Sequence, residues 1–346
     1  MLKAIESFAK TALAIFATVV LWRPWRRFRK LAKAKRLALV RVDDRVGEAL
    51  LVTPLIEALA DRYQVDVVVH ERCKRVLDGH PKVRQVHALD RTALALGAFA
   101  PGIKPLRAQA YDAVVNCANW EVQSVTSALV SRLIAGKGLV IGPAVGAAGL
   151  LMDVPVAQLE GTQSELQQRL RLLAPLGVEA PKAALSFRNP RHSQAVEPFL
   201  ARARETPHAV VNPGGRLDWR RVPSRIFSAA CRTLIAQGRT PIVTWGPGEE
   251  ELARIVVAEA PGAELAPPTS LDDLAALMRA CGLTVCNNTG PMHLSVAVGA
   301  RTIALFLNMP AERWGYRQTP HRVVELSATD TIEEMIRKVT AALEPK

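Results

Sequence analysis

Short, almost wholly apolar runs of strand length alternate along this chain with stretches of helical period. Leu37–Val42 ends at the polar turn Asp43-Asp44-Arg45, and a helical pattern follows over Ala49–Arg62. Val65–His70 predicts a second buried strand with a helix running to about Gly79, and Asp112–Asn116 a third strand. Pro101–Pro105 and Gly136–Gly149, rich in Gly, Pro and Ala, read as connections, and Gly161–Leu176 reads as a helix. After a polar, proline-bounded stretch at Pro181–Pro190 the alternation resumes. Strands are predicted at His208–Asn212, Pro241–Trp245, Leu283–Asn287 and Arg301–Phe306. Helices are predicted at Ser224–Gln237, Glu249–Glu259, Leu271–Ala280 and Pro291–Val298, with a final amphipathic helix at Thr331–Leu343. Strand–helix–strand alternation favours parallel sheets covered on both faces.

The expected fold class is therefore α/β, with two Rossmann-like domains facing each other across a cleft. The expected division is a membrane-associating segment over 1–36, a first Rossmann-like domain over 37–185, a second over 191–328, and a C-terminal helix over 329–346 packing back on the body. A chain of 346 residues exceeds the usual size of one hydrophobic core, which agrees with two domains. With 49% apolar and 22% charged residues, disorder is excluded as the general state. The five cysteines lie far apart or on apolar runs, without CxxC or Cys/His ligand spacing. They predict reduced core residues rather than a disulfide frame or a zinc site.

The net charge of +13 is concentrated at the start of the chain. Residues 1–36 hold Lys3, Lys10, Arg23, Arg26, Arg27, Arg29, Lys30, Lys33, Lys35 and Arg36 against Glu6 alone. Thr11 to Trp22 is apolar but shorter than the roughly 20 residues of a spanning helix. Trp22, Trp25 and Phe28 interleave with the arginines beyond it, an arrangement suited to the headgroup level of an anionic membrane. The heaviest charge follows the apolar stretch and no small-residue cleavage site is present, unlike a secretory signal. The segment is read as a surface anchor on the cytoplasmic face of a membrane, with Trp22, Arg23, Trp25, Arg26, Arg27 and Arg29 as the contacting residues. The alternatives are a helix packed on its own domain with a solvated basic face, and a true span with Lys10 snorkelling. Nucleic acid is not an expected partner, because the remaining chain carries neither a basic aromatic platform nor a recognition-helix signature.

Four motifs follow predicted strands. Arg45-Val46-Gly47-Glu48 pairs a glycine suited to a tight turn with a carboxylate near a helix start, where it can take a proton as general base or simply meet the macrodipole. Asn212-Pro213-Gly214-Gly215-Arg216, continuing to Arg220 and Arg221, offers backbone amides and guanidinium groups to a diphosphate, or else is a solvated basic loop. Gly246-Pro247-Gly248-Glu249 can bring a carboxylate to a ribose, or Glu249 merely begins a helix. Asn287-Asn288-Thr289-Gly290-Pro291-Met292-His293 places a hydroxyl, an amide and a helix start together as a second anion site, with His293 in the first turn as a phosphate or sugar contact or a structural histidine. No GxGxxG follows the first strand and no GxxxxGK[ST] loop occurs, so dehydrogenase and phosphate-hydrolysing readings are weak. The acidic pairs Asp43-Asp44 and Asp272-Asp273 lack Asp-x-Asp spacing, and no metal or cofactor is expected.

The segments RVDDRVGEALLVTPLIEAL, VVNPGGRLDWRRVP, VTWGPGEEELA and above all NNTGPMHLSVAVGARTIALF resemble, in order, the lipopolysaccharide heptosyltransferases of glycosyltransferase family nine. The resemblance runs from about Leu37 to Trp314. It implies an inverting, metal-independent GT-B enzyme that moves heptose from ADP-heptose to the inner core of a lipid A-linked acceptor. It also implies Glu48 at the place of a catalytic aspartate, with Arg45 and Gly47 beside it at the acceptor turn. Gly215 and Arg216 fall in the diphosphate loop, Arg220 replaces a phosphate-binding lysine, and Glu249 matches the ribose-holding acid. Asn288, Thr289, Gly290 and His293 match a DTGxxH donor motif. Two departures stand out: Glu48 extends the carboxylate by one methylene, and Asn288 removes a negative charge. The rival expectations are a catalytically silent, membrane-attached nucleotide-sugar-binding protein, a family member using another nucleotide sugar, and an NAD-linked sugar-nucleotide enzyme.

Overall fold

The structure, a computed structural model, describes residues 11–12, 15–16, 31–89, 102–121, 124–161, 163–179, 184–188 and 190–344. The chain forms two compact units, Met1–Ala184 and Leu185–Lys346. The tryptophans and arginines proposed as membrane contacts lie outside the described residues. Among the described residues no helix is long and apolar enough to cross a membrane.

The first unit holds six strands: β1 (Arg36–Arg41), β2 (Gln64–His70), β3 (Gln85–Leu89), β4 (Ala113–Asn116), β5 (Leu139–Pro143) and β6 (Val154–Val156). They form one sheet in the order β3-β2-β1-β4-β5-β6, and every pairing is parallel. Leu37, Leu39, Val65, Val67, Val114 and Val115 are buried, as expected of strands covered on both faces. The stretch read as a Gly136–Gly149 connection instead contains β5 and a short helix at Gly146–Gly149. Gly138 admits this strand because a Cβ there would lie 2.2 Å from the Tyr111 carbonyl oxygen. The helix expected over Ala49–Arg62 is two, Val46–Leu50 and Thr53–Leu59, with Pro54 in the first turn of the second. The expected Gly161–Leu176 helix is α-helical over Glu165–Leu170, started by a Ser164–Gln167 capping box, and becomes a 3-10 helix over Arg171–Leu176, which contains Pro175.

The second unit repeats the plan with β7 (His208–Asn212), β8 (Thr240–Val243), β9 (Glu264–Leu265), β10 (Leu283–Asn287), β11 (Arg301–Leu307) and β12 (Arg322–Leu326). The order is β12-β11-β10-β7-β8-β9, again all parallel. Numbered within its own unit and read from the opposite edge, this is the order of the first sheet. The helix Leu271–Cys281 starts at a Ser270–Asp273 capping box and stops at Gly282, whose φ of 66° is readily adopted only by glycine. The last helix, Ile332–Leu343, buries Met335, Val339 and Leu343 in the second unit's own core and packs on the helix Ser224–Ala236. All five cysteines are buried and none forms a disulfide.

Candidate functional site

In each sheet the strand order reverses direction at one place, between β1 and β4 and between β7 and β10. Crossover helices leave for opposite faces there, so the strand ends open a crevice suited to a ligand. Three of the four predicted motifs fall at these switch points: Glu48 follows β1, the Gly214-Gly215 loop follows β7, and the Thr289-Gly290 turn follows β10, while Gly246–Glu249 follows the neighbouring β8.

Glu48 lies in the first turn of Val46–Leu50 and is 4% exposed. The turn before that helix is made by Asp43, whose Oδ1 accepts the Arg45 N–H at 3.2 Å. Gly47, expected to make it, sits inside the helix instead. The Glu48 carboxylate is held from three sides. Its Oε2 lies 2.8 Å from Arg169 Nη2 and 2.9 Å from Arg41 Nη2. Its Oε1 accepts from Asn119 Nδ2 at 3.1 Å, with Arg45 Nη2 at 3.5 Å. Arg41 also pairs with Asp43 and donates to the Cys117 carbonyl at 2.7 Å. Burial alone would push the Glu48 carboxyl up, but Arg41, Arg169 and Arg45 outweigh it and hold the group well below the ordinary carboxylate range. The expected alternative, a helix-start glutamate meeting only the macrodipole, understates these contacts. Neighbouring Glu165, 2% exposed at its side chain, has its carboxyl pushed up by burial. Arg41, Asn119, Glu165 and Arg169 were not expected from the sequence. The faint signals were an arginine ending an apolar strand, a polar residue just past another strand, and an arginine amid the leucines of Arg169–Leu173.

In the second unit the structure brings Gly215, Glu249 and Thr289 together. Glu249 precedes the helix Glu250–Ala258 but does not cap it with its side chain. Its Oε1 accepts the Gly215 N–H at 2.7 Å and its Oε2 the Gly246 N–H at 3.1 Å. Gly215 leaves room for the Thr289 methyl, which would be 3.4 Å from a Cβ at that position. Thr289 precedes the helix Gly290–Ala297, and its hydroxyl donates back to the Asn287 carbonyl at 3.3 Å. Buried Asn287 staples the two loops. Its Nδ2 donates to the Pro213 and Gly214 carbonyls at 2.8 and 3.0 Å, and its Oδ1 accepts from the Val222 N–H at 3.1 Å. Arg216 is exposed and Arg220 half-buried on the same loop, while Arg221 pairs with Asp218. Asn288 is half-buried, and its N–H donates to the Leu305 carbonyl. His293 is buried, with its Nδ1 2.6 Å from the Tyr316 hydroxyl and the two rings edge to face. Among the described residues no cluster of His, Cys, Asp and Glu is arranged to hold a metal ion.

Comparison with known proteins identifies the family. A family model described as glycosyltransferase family 9 (heptosyltransferase) matches residues 102–341. Glu48 and its turn precede that match. A lipopolysaccharide heptosyltransferase 3 of Escherichia coli is 26% identical over 281 residues, covering 75% of this chain and 80% of the relative. The Escherichia coli heptosyltransferase WaaC, solved with ADP, superposes with a TM-score of 0.71 at 19% identity, over 89% of this chain and 97% of its own. The Escherichia coli ADP-heptose lipopolysaccharide heptosyltransferase II gives a TM-score of 0.67 at 20% identity, over 88% and 98%. These structural likenesses place the two parallel six-stranded sheets in the GT-B fold class.

Proposed function

The chain belongs to glycosyltransferase family 9, the heptosyltransferases, and from that membership we propose that it transfers a heptose from ADP-heptose to the inner core of a lipid A-linked acceptor, with inversion and without a metal. The observation that carries the proposal is the convergence of Gly215, Glu249 and Thr289 at the switch point of the second sheet. WaaC has been solved with ADP and with ADP-2-deoxy-2-fluoro heptose, which supports an adenosine diphosphate donor here.

The chemistry follows from the residues. Arg216, Arg220 and the amides at the start of Gly290–Ala297 supply positive charge to the diphosphate, in place of a cation. Glu249 turns its carboxylate to the ribose hydroxyls. The acceptor hydroxyl attacks the anomeric carbon from the side opposite the phosphate. The new C–O bond forms as the bond to the diphosphate breaks, ADP leaves with the electron pair, and the configuration inverts. Glu48 takes the hydroxyl proton. Its low basicity is tolerable because the attacking oxygen becomes strongly acidic as its bond to carbon forms. The basic, tryptophan-bearing sequence of residues 1–36 supports a position on the cytoplasmic face of the inner membrane, beside a lipid-borne acceptor.

A second reading, a silent nucleotide-sugar-binding protein, is favoured by the full engagement of Glu48 with Arg41, Arg169 and Asn119. Incubating the full chain with ADP-heptose, and in parallel with UDP- and GDP-sugars, on a heptose-deficient lipopolysaccharide separates the two. A mass gain of one heptose from ADP-heptose is the expected result. Donor binding without transfer from any sugar nucleotide selects the silent reading.

A further inference from the structure

Arg169 is the largest fully buried side chain of the described protein, with no solvent exposure. It sits at the end of Glu165–Leu170 and reaches 121 residues back along the chain to Glu48. Its Nη1 donates to the Glu48 main-chain carbonyl at 3.1 Å, and its Nη2 to the Glu48 carboxylate at 2.8 Å. One planar fork therefore fixes both the backbone and the side chain of a single residue. The same Nη2 lies 2.7 Å from Asn119 Oδ1 and 3.0 Å from Glu165 Oε1. Asn119 then returns its Nδ2 to the other Glu48 oxygen at 3.1 Å. The three side chains close a triangle in which each carboxylate oxygen has its own holder.

A buried guanidinium is a poor way to gain stability, because well-packed apolar residues usually do as well or better. What it supplies is a defined geometry. The helix carrying Glu48 has five residues, too few to be rigid by itself. We infer that Arg169, with Asn119, is a positioning residue for transfer: it fixes the direction of the Glu48 carboxylate and leaves Oε1, next to the half-exposed Arg45, as the oxygen that meets the acceptor hydroxyl. Oε2 is committed to both Arg41 and Arg169, whereas Oε1 holds a neutral amide and a longer contact to Arg45, whose side chain is 47% exposed. The inference rests on the proposed role of Glu48 as base.

The test compares full-length wild type, R169K, R169M, E48Q and the E48Q/R169M double variant, using ADP-heptose and heptose-deficient lipopolysaccharide. For each, kcat, the donor KM, the ADP affinity by calorimetry and the melting temperature are measured. R169M is expected to lower kcat by at least about tenfold, a fraction of what a general base itself supplies, with ADP affinity unchanged. R169K keeps the charge but not the fork, and should fall between wild type and R169M. The double variant should be no slower than E48Q alone, because a residue that acts through Glu48 has nothing left to position. A purely structural role would instead add its loss to that of E48Q and weaken ADP binding alongside, and that result overturns the inference. So does wild-type kcat in R169M beside a dead E48Q, which leaves the base reading standing. Wild-type turnover in E48Q removes the base reading itself. Should R169M fail to fold, R169K and N119A carry the same comparison, because R169K breaks the fork and N119A removes the holder of Oε1.

Discussion

The Glu249 carboxylate accepts the backbone N–H of Gly215 at 2.7 Å, joining loops that lie 34 residues apart in the chain. Its second oxygen holds Gly246 at the turn after β8. One side chain thus shapes the loop proposed to hold the diphosphate, and a donor ribose seated on Glu249 would share or displace that bond. Removing it by Glu249→Ala should leave two amides without their carboxylate and the loop less ordered. Hydrogen bonds to charged groups contribute about 1.5–3 kcal/mol, so ADP affinity should fall roughly ten- to hundredfold. Calorimetric titration with ADP checks this. An unchanged Kd would mean that the loop is held by Asn287 alone.

Gly214→Ala probes the same joint from the other side. A Cβ there would lie 2.0 Å from Glu249 Oε2, the far end of a flexible side chain. The carboxylate can swing away, but only by giving up its bonds to Gly215 and Gly246. The expected outcome is a melting temperature no lower than that of Glu249→Ala, with ADP binding weakened as in that variant. The double substitution should then weaken binding no further, as for two changes that remove one shared contact. Additive losses would show that the alanine disturbs the loop by another route.

Glu48→Gln keeps the shape of the side chain but removes its charge and its capacity to take a proton. Turnover should drop at least about a hundredfold, the low end for a general base, while ADP affinity holds. The pH profile gives an independent sign. The folded carboxyl lies below its ordinary value of 4.5, so the stabilisation from its ion pairs is complete above that value and is lost as the pH falls below it. The acid limb of kcat/KM should therefore contain no ionisation of Glu48 near neutral pH, and melting temperatures should decline only in the acid range. An acid limb near neutral pH that vanishes in E48Q would contradict the grip of Arg41 and Arg169.

The sequence made the centre of each sheet legible and left its edges obscure. Runs such as LALVRV and LTVCN sit in strands flanked on both sides and buried on both faces, so apolar residues dominate them, with Arg41, Thr284 and Asn287 as the buried polar exceptions. β3 lies at an edge and is only partly buried, β6 is the three-residue edge strand Val-Pro-Val, and β9 has two residues, so none carries a readable period. Gly and Pro marked the loops after β7, β8 and β10 because chain turns and close approaches need them there. The holders of Glu48 were invisible for a different reason. Asn119 and Arg169 come from elements 71 and 121 residues away, and only the parallel sheet order brings them to the end of β1.

Tyr316→Phe tests whether the histidine of the last motif is held by its neighbour. The Tyr316 hydroxyl lies 2.6 Å from His293 Nδ1, and both residues are about 6% exposed. The bond orients the imidazole, with Nδ1 facing the tyrosine. Deleting the hydroxyl leaves a buried ring nitrogen without this partner, which costs about 1–3 kcal/mol. Urea unfolding should show that loss with an unchanged m-value. If His293 also meets the donor, ADP-heptose binding should weaken in Tyr316→Phe and weaken further in His293→Ala. Stability lost in both variants with donor affinity intact would assign the pair to the core of the second unit and take His293 out of the site.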